Sequence, residues 1–165
     1  MKHVLFAILS AMLLCTTAFA DEYPTVTFGS YEQDGDPENG PEPIEWLIVD
    51  ENDDACLYVA KDGFENIPYN EEKAEISWKE SGVREWMNGT FLDTSFTEAE
   101  RERILLTTNT NEAKTVHDNV LWRLRTPGRT KGHAVVVLTT GEYDYCGLNV
   151  SYDLACIRPA MWVKK

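Results

Sequence analysis

Residues Ile44–Lys61 read IEWLIV-DENDDA-CLYVAK, which is two apolar runs joined by a short acidic segment. The runs, Ile44–Val49 and Cys56–Lys61, are rich in β-branched and aromatic residues, which favour strands. The residues between them, Asp50–Ala55, are polar and turn-forming. This stretch therefore predicts a β-hairpin.

Further strands are expected on both sides of this hairpin. Thr25–Tyr31 reads TVTFGSY, in which β-branched and aromatic residues alternate with smaller ones. Later in the chain, His133–Thr139 is strongly β-branched, Glu142–Cys146 is able to pair back with it, and Leu154–Val163 predicts a last strand. Because Pro159 has no backbone N–H, we expect this last strand at a sheet edge or a bulge.

Two helices are predicted in the middle of the chain, each opened by a capping box. Ser77–Glu80 (SWKE) precedes an apolar i, i+3, i+4 stripe that ends at Asn88–Gly89. Thr97–Glu100 (TEAE) opens a second, shorter helix that is expected to run to about Leu106. Strands before and after a central pair of helices are typical of an α+β fold rather than a doubly wound parallel sheet.

The first twenty residues have the pattern of a secretory signal peptide. A basic start, Met1–His3, is followed by an apolar run from Val4 to Leu14 and by the small-residue cleavage site Ala18–Ala20. We expect cleavage after Ala20, which leaves 21–165 as a single α+β domain that is secreted or held in the periplasm or cell envelope. The alternative is an uncleaved anchor, although the apolar run is shorter than the roughly 20 residues that span a bilayer.

The chain is acidic, with 28 acidic and 15 basic side chains and a net charge of −13. Nucleic acids require a cationic surface, so no nucleic-acid partner is expected. Acidic residues cluster at Asp34–Asn39 and Asp50–Asp54. We interpret both clusters as solvated turns, with calcium binding as the alternative. Neither cluster completes an EF-hand loop, and the sequence predicts no metal site and no cofactor.

Three cysteines follow the signal peptide: Cys56, Cys146 and Cys156. Export favours disulfides, and Cys146 with Cys156, ten residues apart around a turn-like stretch, is the preferred pair. Bridges from Cys56, or three buried thiols, are the alternatives. With His117 and His133, these cysteines are the reactive candidates, but none of them lies in a recognisable nucleophile setting, so no catalytic residue is predicted.

Six short motifs occur along the chain in order. They are FGSYEQ (Phe28–Gln33), PIEW (Pro43–Trp46), WxxSxxRxWxN (Trp78–Asn88), SFTEAExxxI (Ser95–Ile104), LRTPG (Leu124–Gly128) and RPAMW (Arg158–Trp162). The set resembles an uncharacterised bacterial family of secreted and surface-attached domains, a domain of unknown function. The C-terminal part of the domains in that family is similar to C-type-lectin-like domains, including relatives of the sulfatase-modifying factors.

This resemblance implies a C-type-lectin-like mixed fold with short antiparallel sheets and two central helices. The chain departs from the family between Leu105 and Trp122, where a longer insert is usual and a short Thr/Asn-rich segment stands here. A binding or regulatory surface carried by that insert would be reduced or lost.

The tryptophans and arginines of these motifs are the candidates for a ligand site. The candidates are Trp78, Arg84, Trp86, Trp122, Arg125 and Arg158. An indole ring can stack on a sugar, and a guanidinium group is a planar donor for carboxylates and carbonyls. The alternative is that these residues form the core and brace loops.

We expect a non-catalytic binding or interaction module at the bacterial cell envelope, with a glycan or a cell-surface protein as its ligand. A small exported enzyme with a cysteine/histidine site, or a purely structural accessory domain, is the alternative function.

Overall fold

A computed structural model describes residues 23–64, 67–106 and 120–165 of the protein. The expected signal peptide and His117 lie outside the described residues, as does most of the shortened segment between Leu105 and Trp122. In the described ranges, no helix combines the length and the apolar character that crossing a membrane requires.

Two antiparallel sheets and a few short helices make up the described chain, so the predicted α+β class is confirmed. The strands are β1 (Thr25–Tyr31), β2 (Glu42–Glu51), β3 (Ala55–Ala60), β4 (Ile104–Leu105), β5 (Trp122–Pro127), β6 (His133–Val137), β7 (Tyr143–Asn149) and β8 (Ala160–Lys164). A 3-10 turn at Trp78–Glu80 precedes the helices α1 (Gly82–Asn88), α2 (Thr90–Ser95) and α3 (Glu98–Arg101).

The larger sheet has five strands in the order β1-β2-β3-β8-β4. Its centre is the predicted hairpin, in which β2 pairs with β3 so that Trp46 lies opposite Ala60. The turn is held by the side-chain oxygen of Asn52, which accepts hydrogen bonds from the N–H groups of Asp54 and Ala55 at 3.0 and 2.9 Å. Every residue of β3 is buried, as expected for a central strand covered on both faces.

A bulge at Gly29 interrupts β1, where the pairing register shifts between Thr27 and Ser30. Gly29 has a φ of 72°, in the left-handed region that glycine adopts without a steric penalty. A side chain here would lie 2.6 Å from the ring of Phe96. The bulge also brings the N–H of Gly29 within 3.1 Å of Glu100 Oε1, which ties β1 to α3.

The first predicted helix begins at Gly82 rather than directly after Ser77. The Ser77 hydroxyl donates to the Glu80 carboxylate at 2.7 Å, and the two residues close a 3-10 turn instead of capping an α-helix. Ser81 is the cap of α1, because its Oγ accepts the N–H of Arg84 at 3.4 Å. Two serines four residues apart both carry a cap signal, and tertiary packing selects the second.

The second predicted helix starts as expected and ends earlier. Thr97 Oγ1 accepts the N–H of Glu100 at 3.3 Å, and Glu100 Oε2 accepts the N–H of Thr97 at 2.8 Å, which is a complete capping box. The helix ends at Arg101 because the chain then enters β4 and pairs with β8. An additional helix, α2, follows Gly89 directly and was not predicted.

The smaller sheet has the order β5-β6-β7, of which β5 was not predicted. The last strand corrects a prediction, because β8 begins at Ala160 rather than Leu154 and lies between β3 and β4 instead of at an edge. Pro159 allows this position since it precedes the first paired residue and removes no N–H from the ladder. Its carbonyl accepts the N–H of Ala60 at 2.9 Å.

Aromatic side chains from the larger sheet and the helices pack into one core. Its rings are those of Phe28, Trp46, Tyr58, Phe64, Trp86, Phe91 and Phe96. Trp46 is completely buried, and its indole N–H donates to the carbonyl of Phe28 at 2.7 Å. We refer to this set of rings as the aromatic core.

Cys146 and Cys156, the preferred disulfide pair, are not joined. Cys146 is exposed on β7. Cys156 is buried, and its backbone forms an isolated parallel β-bridge with that of Trp122. The side chain of Cys156 packs directly against Gly63, just after β3. Cys56 is buried within β3 itself.

Candidate functional site

A cavity of about 460 Å³ lies where the helices, the β4–β8 edge of the larger sheet and strand β5 meet. This volume falls within the range of about 300–1,000 Å³ that is usual for small-molecule sites. Most of the lining is apolar. The apolar residues other than tryptophan are Leu57, Val83, Met87, Phe91, Leu92, Phe96, Ile104, Leu105, Leu106, Leu124, Ile157, Pro159, Ala160 and Met161.

The charged residues of the described lining are arginines: Arg101, Arg123, Arg125 and Arg158. No aspartate or glutamate is found among the described lining residues, although the chain carries 28 acidic and only 15 basic side chains. The described lining therefore carries the opposite charge to the net charge of the molecule. A cleft that has apolar walls and is lined by charges of one sign attracts ligands of the opposite charge.

Arg101 and Arg123 are held in place by contacts within the protein. Arg101 Nη1 lies 3.1 Å from Asp93 Oδ1. Arg123 is buried, and its guanidinium donates to three backbone carbonyls within residues 148–152 at 2.6–3.3 Å. Burial lowers the pKa of Arg123. Arg123 was not among the residues predicted from the sequence, and its place between the apolar residues Trp122 and Leu124 was the signal available.

Trp122 and Arg158 form a polar corner of the cavity. They are only 4% and 7% exposed, and the guanidinium carbon of Arg158 lies 5.4 Å from the centre of the Trp122 ring, a cation–π distance. The indole N–H of Trp122 is buried and has no hydrogen-bond acceptor within the described structure. Leaving a buried donor unsatisfied costs about 1–3 kcal/mol, so a ligand that supplies an acceptor would be stabilised here.

Trp78 and Arg125 line the cavity beside a residue that sequence analysis missed. Trp78 is half-buried and packs on Tyr69, with ring centroids 6.0 Å apart. The Tyr69 hydroxyl donates to the carbonyl of Arg125 at 3.2 Å. Burial raises the pKa of Tyr69 to about 12, so it is a neutral donor at pH 7. Tyr69 thereby joins the two sides of the cavity.

The other two candidates, Arg84 and Trp86, lie outside the cavity lining. Arg84 is exposed on α1, and its Nη1 donates to the carbonyl of Lys79 at 3.5 Å. Trp86 is packed in the aromatic core, with ring centroids 4.8 Å from Phe91 and 5.9 Å from Tyr31. The fold thus brings together four of the six predicted site residues.

The acidic cluster at Asp34–Asn39 uses its carboxylates to shape a turn. Asp34 accepts the N–H of Asp36 at 2.8 Å and the side-chain amide of Asn39 at 2.9 Å, and these hydrogen bonds lower the pKa of Asp34. Glu32, Asp34 and Glu42 each offer an oxygen within 4.8 Å of the others. Such an arrangement fits the interpretation as a solvated turn, and calcium binding stays an untested alternative.

The residues of the enzyme alternative are spread over the fold: Cys146 and His133 belong to the smaller sheet, Cys56 belongs to the larger sheet, and Cys156 lies outside the strands of both. Cys56 lies in β3, with its Sγ 4.0 Å from Glu51 Oε2. His133 lies in β6, with Nδ1 3.0 Å from the carbonyl of Lys131. The structure therefore does not pair the Cys56 thiol with this imidazole, and His117 lies outside the described residues.

Comparison with known proteins supports part of the expected resemblance. Residues 45–120 match a family described as a domain of unknown function (DUF6273). The matched range includes Trp78, Arg84 and Trp86 but ends before Trp122 and Arg158. No curated protein and no solved structure matches the chain. The expected similarity to an uncharacterised domain is thus confirmed for this range.

Proposed function

We propose that the protein is a non-catalytic binding module whose ligand occupies the cavity beside Trp78 and Trp122. The observation that carries the proposal is a space of about 460 Å³ with apolar walls and arginines as its charged lining residues. Protein interiors are close-packed, with few spaces larger than a water molecule. A large cavity with an apolar lining and a few polar groups is the usual form of a binding site.

The proposal is tested with N-phenylnaphthylamine, an uncharged aromatic probe whose fluorescence rises in apolar surroundings. Titration of the purified protein should give a saturable increase in emission with one site per chain. The absence of saturable binding would overturn the proposal.

Two leucine-to-tryptophan variants locate the probe. Leu92 lines the cavity from α2, whereas Leu154 is 69% exposed and lies outside the lining. Leu92→Trp adds a ring to the cavity and should weaken binding by about tenfold or more, while Leu154→Trp should leave it unchanged. If Leu92→Trp fails to fold, Leu124→Trp fills the same cavity from β5. Unchanged binding in a folded cavity-filling variant would exclude this cavity as the site.

A glycan is the second candidate ligand, supported by Trp78. Its half-exposed ring lies in the lining together with Asn88 and Thr126, and a partly exposed indole offers a face on which a sugar can stack. A glycan array tests this candidate. Binding that Trp78→Ala abolishes without loss of the fold would favour a sugar.

We also propose that the module is one exported domain of C-type-lectin-like topology. The N-terminal signal pattern supports export, and the order and content of the closing motifs support the likeness. Sequencing the N terminus of the exported protein tests the first part, since cleavage after Ala20 predicts a chain that begins at Asp21.

A further inference from the structure

We propose that the ligand of this cavity is an anionic amphiphile, a molecule with an apolar or aromatic body and one carboxylate or sulfonate head. The head would lie between the guanidinium of Arg158 and the indole N–H of Trp122. This inference rests on the proposed function, because it assigns a ligand class to the same cavity.

The walls of the cavity fit the body of such a ligand. Val83 and Met87 on α1 face the same space as Leu124 on β5 and Met161 on β8. These side chains offer dispersion contacts and no hydrogen bonds. Burying apolar surface against them stabilises a complex by about 25 cal/mol per Å², whereas the hydroxyl groups of a neutral sugar would lose water without gaining hydrogen bonds from these four side chains.

The polar corner fits the head group. The indole N–H of Trp122 is a donor that is buried and without an acceptor in the described structure, and the buried guanidinium of Arg158 lies over the same ring. Hydrogen bonds from a cation to an anion are about twice as strong as those between neutral groups. Ionised carboxylate and sulfonate groups only accept hydrogen bonds. They are therefore complementary to the polar corner, where the indole and guanidinium groups are donors.

The charges of the described lining favour an anionic over a cationic ligand. The described lining contains four arginines and no carboxylate, so a cation would be repelled without a compensating partner. An anion beside Arg158 would be attracted to its guanidinium, because Coulomb interactions are only weakly screened in a low-dielectric pocket.

The test compares two probes that share one ring system. Anilinonaphthalene sulfonate carries a sulfonate, whereas N-phenylnaphthylamine lacks it. We expect the sulfonate probe to bind about tenfold tighter or more. Decanoate should likewise displace N-phenylnaphthylamine at a concentration about tenfold lower than 1-decanol.

Variants of single arginines locate the head group. Arg158→Met should abolish the preference for the anionic probe and keep the binding of the neutral one. Arg84→Met removes one positive charge from an exposed position outside the cavity and should leave the preference intact. If Arg158→Met fails to fold, the ratio of the two affinities in the unaltered protein still decides the question.

The outcomes separate the two proposals. Equal affinity for the anionic and neutral probes in the unaltered protein would overturn the anionic ligand and leave the binding module standing. A preference that survives in folded Arg158→Met would overturn the assignment to Arg158. Failure of both probes to bind would overturn the binding module itself.

Discussion

The aromatic core and the cavity both contain tryptophan rings, but their surroundings differ. In the core, Trp46 is fully buried and its N–H is paired with the carbonyl of Phe28. In the cavity, the N–H of Trp122 is just as inaccessible, yet it has no acceptor within the described structure. The comparison teaches that burial alone does not identify a structural tryptophan. The hydrogen-bonding state of the indole distinguishes the two roles.

The neighbouring charges differ in the same way. Trp86 is surrounded by other rings, among them Phe91 and Tyr31. Trp122 instead has the guanidinium of Arg158 over its face. Phe91 and Phe96 belong to both regions, but stability is expected to depend most on Trp46, and binding on Trp78 and Trp122.

The largest expected effect is on stability in the core. Trp46→Ala should lower the free energy of unfolding by about 3–5 kcal/mol, because it removes a fully buried ring and leaves a space. Trp78→Ala, at a half-buried position, should cost less than about 2 kcal/mol. Urea unfolding of both variants measures the difference. Equal costs would contradict the division between the core and the cavity.

A substitution at Glu100 tests the hydrogen bond that attaches helix α3 to strand β1. Partial burial alone would raise the pKa of Glu100, but hydrogen bonds from Thr97 and Gly29 outweigh it and lower the pKa. A carboxylate with a lowered pKa stabilises the fold above the unfolded pKa of about 4.3, and this contribution is lost as the pH falls through the folded pKa.

We therefore expect Glu100→Gln to cost about 1 kcal/mol at pH 7 and progressively less as the medium becomes more acidic than pH 4.3. The control is Glu98→Gln, an exposed substitution on the same helix. Chemical unfolding between pH 3 and 7 measures both variants. A difference that persists at the acidic end would contradict the assigned role of the carboxylate.

A second pH-dependent test concerns Tyr69, which lines the cavity. With its pKa raised to about 12, its neutral form stabilises the fold below the usual tyrosine value of about 10, and this contribution declines as the pH rises towards 12. An ultraviolet titration should show one phenol ionising near pH 12, and Tyr69→Phe should remove that step. The variant should also cost about 1 kcal/mol at pH 7 through the lost hydrogen bond to Arg125.

The smallest effect is expected at Cys146, which belongs to neither region. Its thiol is exposed, so it should react with a thiol reagent much faster than the buried Cys56 and Cys156. Cys146→Ser should change stability by less than about 0.5 kcal/mol. After unfolding without reductant, all three thiols should react. If only Cys56 reacts, the predicted Cys146–Cys156 bridge is present in solution.

Sequence analysis predicted the parts of the fold that are governed by local pattern. The β2–β3 hairpin and the capping box at Thr97 follow from residue types at short spacing. Strand β5 (WRLRTP) was missed because it is short, has only one β-branched residue and ends in proline, whereas β4 has only two residues. The interior place of β8 depends on long-range pairing that no local pattern around Pro159 records.

The site was predicted in the same partial way. Tryptophans and arginines were selected by chemical type, which identified Trp78, Trp122, Arg125 and Arg158 but could not separate them from Trp86. That separation depends on which side of the helices each ring occupies in the folded chain.

The most direct measurement follows all five tryptophan side chains during one titration with N-phenylnaphthylamine. Each indole N–H gives its own signal in a proton–nitrogen correlation spectrum, and single-tryptophan substitutions assign them. We predict that the signals of the tryptophans that line the cavity, Trp78, Trp122 and Trp162, shift together and saturate. The signals of Trp46 and Trp86 should remain in place. Saturable binding that moves the core signals and leaves that of Trp122 unchanged would contradict the account.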